Sequence, residues 1–156
     1  MRSIIAALIC LLTPVANAEP AIRIVDFTAS WCPNCKILDP RLAEAVDRFD
    51  SADVEIVTLD LTQTARRYTP QQRANAQAEA IATAQAVKAG YVWDWYGPTT
   101  GLAVVIAADT GEPITCFTPR QSTEQIAGEI RLARLMAIHA PPGQRQQGEL
   151  ACPDRR

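Results

Sequence analysis

The chain has 156 residues, 48% of them hydrophobic and 21% charged, with a formal net charge of -2 at pH 7. That length suits one domain, and the apolar share is enough for a single packed core. A slightly acidic chain offers no basic field for DNA or RNA, and eleven prolines and seven glycines are too few for a low-complexity or collagen-like chain.

Residues 1–18 carry the layout of a secretory signal. Arg2 gives a positive start, Ile4 to Leu12 run apolar, Pro14 breaks the run, and Ala16-Asn17-Ala18 places small residues before the cut. The run is too short to span a bilayer, and Ile9 stands where a lipoprotein signal at Cys10 would want a small residue. Cleavage is expected after Ala18, with export to the periplasm. It leaves Cys32, Cys35, Cys116 and Cys152, and an even count in an exported chain points to an oxidising compartment. No later stretch is apolar for long enough to cross a membrane.

Ala21 to Thr28 is rich in Ile and Val and predicts a strand, interrupted by Asp26. Ile37, Leu38, Leu42, Ala45, Val46 and Phe49 then repeat at helical spacing, with Pro40 inside the pattern. Val54 to Leu61 predicts a second strand. Thr69-Pro70-Gln71-Gln72 is a capping box with proline at the first helical position, and the Ala/Gln-rich segment after it should stay helical up to a stop at Gly90. Leu102 to Ala108 is an unbroken apolar run, a strand buried on both faces. Asp109-Thr110-Gly111 turns it into a hairpin with Glu112 to Phe117. Ser122 and Gln125 cap a last helix lined by Ile126, Ile130, Ala133 and Ala137 and ending near His139. The organisation is a signal over 1–18, a domain over 19–139 and a polar tail over 140–156. The order βαβαββα reads as an α/β fold with a mixed four-stranded sheet and helices on both faces.

Cys32-Pro33-Asn34-Cys35 follows a strand and opens a helix. A thiol there faces unsatisfied backbone N–H groups and the positive end of the helix dipole, which both favour thiolate. Cys32, expected exposed at the helix start, is the attacking nucleophile; Cys35, one turn deeper, is the resolving thiol.

The stretch Val25-Asp26-Phe27-Thr28-Ala29-Ser30-Trp31-Cys32-Pro33-Asn34-Cys35-Lys36, followed by Pro40, resembles the active site of the thioredoxin family. The resemblance implies a thioredoxin-like fold, and Asp26 buried beneath the disulfide to assist proton transfer for Cys35. It implies that Trp31, Pro33, Asn34, Gly97 and Pro98 face the substrate, with Pro98 as the family's cis proline. Thr100-Gly101 intervene before the next strand, and the connection from Thr62 to Tyr96 is longer than a minimal family member needs. The Pro-Asn dipeptide matches neither the common reducing thioredoxins nor the strong periplasmic oxidant.

The expected function is an exported, monomeric thiol–disulfide oxidoreductase that reduces protein or small-molecule disulfides without cofactor or metal and is reset by a redox partner, with a membrane-embedded donor the candidate. The alternatives are an oxidase or isomerase on the same fold, or a non-catalytic binding or metal-handling module. A zinc site needs further ligands that a remote His139 does not supply, and one His with two Met argues against copper. Cys116 and Cys152 are expected to form a structural disulfide, because a free thiol beside a reactive CxxC risks scrambling.

Overall fold

The computed structural model describes residues 19–146 and 152–154. The secretory signal expected over 1–18 lies outside the described residues. Strand β1 (Ile22–Thr28) is followed by helix α1 (Cys35–Val46), strand β2 (Val54–Asp60), a short 3₁₀ turn (Thr62–Thr64) and helix α2 (Pro70–Ala86). Helix α3 (Gly90–Tyr96), the hairpin β3 (Leu102–Ala107) and β4 (Pro113–Phe117), and helix α4 (Thr123–His139) complete it.

The four strands form one sheet in the order β2-β1-β3-β4. β1 runs parallel to β2 and antiparallel to β3; the crossover through α1 joins β1 to β2, and a tight turn joins the antiparallel pair β3 and β4. Alternation along β1 sends Ile22 and Ile24 to the face covered by α1 and α4, where they meet Leu38, Leu42, Ile126 and Ile130. Val25 and Phe27 point the other way, onto Ala80, Ala84 and Val92 of α2 and α3. Every residue of β3 is buried. Both capping boxes are formed, Thr69 with Gln72 and Ser122 with Gln125.

One boundary differs from the sequence reading. Gly90 does not stop the second helix; it starts α3. The left-handed residue that ends α2 is Lys88, with φ 64°. The amides of Ala89 and Lys88 donate back to the carbonyls of Ala84 and Gln85, the pattern of a Schellman cap. A lysine holds this position because its ammonium donates to the carbonyls of Asp109 (2.6 Å) and Ala108 (3.3 Å), contacts that a glycine could not make.

The same corner constrains the hairpin. Gly111 has φ 78°, and a β-carbon there would run into the carbonyl oxygen of Lys88. The tail beyond α4 folds back to this turn. Arg145, only 4% exposed, forks onto both carboxylate oxygens of Asp109, and the amides of Gly143 and Arg145 donate to Glu112. Residues 140–146 are thus held against the β3–β4 turn through polar contacts, which hydrophobic periodicity does not register. Gly111→Ala should destabilise the protein by about 1–3 kcal/mol, through a disfavoured φ together with the clash on Lys88, as read by urea denaturation. A variant as stable as the parent would show that this corner relaxes freely.

Candidate active site

The CxxC site forms because a strand that ends at Thr28 must release its chain into a helix at the sheet's carboxyl edge. Cys32 and Cys35 are joined as a disulfide, with their Cα atoms 5.3 Å apart. The amide of Cys35, the first residue of α1, donates to Cys32 Sγ at 3.0 Å. An N–H at the head of a helix therefore points straight at the first sulfur, the contact that favours a thiolate there once the disulfide is reduced. Cys35 Sγ lies 3.8 Å from the carbonyl oxygen of Phe27 on β1.

Cys32 is not exposed as expected: it is 2% accessible, and Cys35 is 1%. Both sulfurs pack with Val25, Phe27 and Ala29, and the surface around them belongs to Trp31, Pro33 and Asn34, which are exposed. The helix-dipole argument locates the sulfur along the chain but says nothing about how closely the neighbouring chain packs around it. Trp31 is held by its indole N–H, which donates to the Thr62 carbonyl at 3.0 Å, while the Ser30 amide donates to the Thr62 hydroxyl. The 3₁₀ turn after β2 thus anchors the loop before the first cysteine.

Asp26 lies in the middle of β1, paired with Thr58 of β2 and Ala103 of β3, and is 5% exposed. Its Oδ1 is buried with no hydrogen-bond partner. Burial, and secondarily the charge of Asp39, push its carboxyl up to about 7. Asp39 stands four residues beyond Cys35 on α1, one helical turn on, and its Oδ2 accepts a 2.6 Å hydrogen bond from the Thr28 hydroxyl. Sequence reading passed over Asp39.

The Gly97–Pro98 peptide is cis. Gly97 packs flat on Trp93, whose ring atoms lie 2.5–2.8 Å from where a β-carbon would be, and Trp93 in turn stacks on Phe27. The inserted Thr100-Gly101 also has a structural reason. Gly101, at φ 75°, lies against Asn34 where a β-carbon would collide, and its amide donates to Phe27 at 2.9 Å. Cys116 and Cys152 are bonded, with Cα atoms 4.9 Å apart. That bond brings residues 152–154 to a groove of ≈ 840 Å³ whose other walls are Asn34, the Thr99–Leu102 segment and the Thr118–Gln121 loop. His139 closes α4. Among the described residues, no group of three or more His, Cys, Asp or Glu is placed to hold a metal ion.

The thioredoxin family model matches residues 13–88, a span that contains β1, the CxxC helix, β2 and α2. The matched stretch, just under half of the chain, is similar to a thioredoxin domain. With the hairpin and α4 completing the sheet order, its architecture is the thioredoxin fold, a mixed four-stranded sheet between helices. Thioredoxin H5 of Arabidopsis thaliana is 44% identical over 34 residues, 22% of this chain and 29% of its own length. Thioredoxin H2 of the same plant is 38% identical over 42 residues, 27% of this chain and 30% of its own. The chain thus spans less than a third of the curated relatives it matches. The crystal structure of Trxlp from Edwardsiella tarda EIB202 aligns over 73% of this chain and 85% of its own, at 14% identity and a TM-score of 0.44.

The Asp26 carboxyl gives a pH-dependent stability. Raised from 3.8 to about 7, it holds a proton in the folded state that the unfolded chain has released between about pH 4 and 7. Stability from this group is therefore greatest below pH 4 and declines as pH rises to 7, by about 1.4 kcal/mol per pH unit. Relative to Asp26→Asn, the parent should lose about 2–3 kcal/mol between pH 5 and pH 8 in urea denaturation. Parallel stability curves for the two proteins would show that Asp26 does not titrate in this range.

Proposed function

We propose that this protein is an exported thiol–disulfide oxidoreductase that works in the reducing direction. The observation that carries the thiol–disulfide chemistry is the Cys35 amide aimed at Cys32 Sγ from the first turn of α1; the reducing direction is this reading's own and is tested by the potential below. In the reduced site Cys32 is the nucleophile. Its thiolate attacks a substrate disulfide, one substrate sulfur leaves as thiolate, and a mixed disulfide forms. Cys35 gives its proton to the Asp26 carboxylate and attacks Cys32 Sγ. The second substrate thiolate leaves and takes up a proton, the substrate has gained two electrons, and the Cys32–Cys35 disulfide has formed. A redox partner then returns two electrons to the pair, and in an oxidising compartment with no thiol buffer that donor sits in the membrane.

Support for the substrate side comes from the exposed Trp31, Pro33 and Asn34 beside the groove, with the Gly97–Pro98 turn next to the Thr99 wall. An extended segment on either side of a disulfide fits such a trough. Export rests on the signal read over residues 1–18, and the exported protein begins at Glu19 and acts in the periplasm as a monomer.

The purified protein should catalyse insulin reduction by dithiothreitol. Cys35→Ser should accumulate mixed disulfides, since Cys32 still attacks and nothing releases the adduct, whereas Cys32→Ser should trap none. Equal trapping by both variants would overturn the assignment of the nucleophile. Equilibration with glutathione fixes the direction: a reduction potential near about −270 mV fits a reductase, and one near about −120 mV would make the protein an oxidant.

A further inference from the structure

We propose that Asp39 is a positioning residue for the thiol chemistry, its charge keeping a single proton on Asp26 within a buried carboxylate pair. The inference rests on the dithiol reading above and extends it to a residue outside the CxxC string. Asp26 and Thr28 alternate along β1 and so lie on its α1 face, the face that Asp39 meets from the helix. The arrangement is asymmetric. Asp39 has a donor, the Thr28 hydroxyl at 2.6 Å, while Asp26 Oδ1 and Asp39 Oδ1 are both buried without a partner. A donor to Asp39 and none to Asp26 Oδ1 means that burial acts against the charged form at Asp26 without relief from a hydrogen bond there.

Among the described residues packed around Asp26, none offsets that charge. β2 presents Thr58 and β3 presents Ala103. α4 contributes Ile126, Ala127 and Ile130 to this face. On α1 itself, Lys36 is exposed, and the Arg41 guanidinium is held by the carbonyls of Pro119 and Gln121 at 3.0 Å each. The charge acting on Asp26 is that of Asp39, and it adds to burial in the same direction.

The chemical consequence falls on the step in which the oxidised site is reset. An incoming thiolate attacks Cys32 Sγ, the Cys32–Cys35 bond breaks, and Cys35 leaves with the electron pair. The proton that neutralises Cys35 comes from Asp26, which becomes a carboxylate. The incoming dithiol is oxidised in turn. At neutral pH this needs Asp26 to be protonated a good part of the time, and the Asp39 charge adds to burial in keeping it so.

The test uses Asp39→Asn in the purified protein, with Asp39→Ala as a second charge-removing variant should the first fail to fold. Carbon-13 NMR of labelled aspartate follows the Asp26 carboxyl, assigned by its loss in Asp26→Asn. Its titration midpoint should fall by about one pH unit in Asp39→Asn. Reduction of the Cys32–Cys35 disulfide by dithiothreitol should slow about fivefold at pH 7 and hardly at all at pH 5, where Asp26 is protonated in both proteins. An unmoved midpoint overturns the proposal, and so does a rate ratio that is the same at pH 5 and pH 7, which is what a purely structural defect would give. A parent protein that accepts electrons from dithiothreitol yet reduces no insulin would defeat the reductase reading and leave this test intact.

Discussion

The site depends on the double pairing of β1. Hydrogen-bonded to β2 on one edge and to β3 on the other, this strand cannot slip by a residue without exchanging its two faces, and both faces are buried. The register therefore fixes three things at once. It sets Phe27, whose carbonyl receives the Gly101 amide and lies near Cys35 Sγ, and it sets Thr28, whose hydroxyl reaches Asp39. It also sets Asp26 on the face that α1 covers. A CxxC helix on a loosely paired strand would keep its dipole but lose the acid beneath it.

Local chemistry was legible in the sequence wherever the interacting residues are near neighbours in the chain. Both capping boxes need only four residues, and the placement of Cys32 and Cys35 at a helix start needs only a strand ending at Thr28. The apolar run from Leu102 to Ala107 announced its own burial. Features that depend on distant partners were hidden. Lys88 ends α2 in the left-handed region because the hairpin turn around Asp109 offers carbonyls to its ammonium, so the nearby Gly90 drew the boundary two residues late. α3 was missed for the same reason. Its seven residues are aromatic-rich and follow a false stop, so they read as part of the long connection from Thr62 to Tyr96.

Asp39 illustrates a harder case. In a helical pattern built on Leu38, Leu42 and Ala45, it occupies a position next to the buried stripe, where an acidic residue reads as solvated. Only the sheet brings Thr28 over it. The buried state of Cys32 is hidden likewise: a dipole acts along the helix axis, whereas exposure is decided by Ala29, Phe27 and the strand beneath. The groove walls were legible in one half only. Asn34 belongs to the recognisable site, and the Gly97–Pro98 turn leads into the Thr99 wall, but the Thr118–Gln121 loop and residues 152–154 arrive through the fold.

The cost of the acid and the gain from the second disulfide are of similar size, and this bears on how the domain can tolerate its own chemistry. A carboxyl raised from 3.8 to about 7 lowers stability by about 4 kcal/mol once the pH exceeds both values. The Cys116–Cys152 bond closes a loop of 36 residues, which stabilises by about 3–4 kcal/mol through the unfolded chain. Against a typical total of about 5–15 kcal/mol, either alone would be a large fraction. The bond is also placed to act without touching the acid. Cys116 is on β4, across β3 from the register position of Val25, so it braces the opposite side of the sheet from β2. The strand carrying Asp26 can thus keep a buried Oδ1 without a partner because the bond's effect on the unfolded chain offsets a cost of similar size.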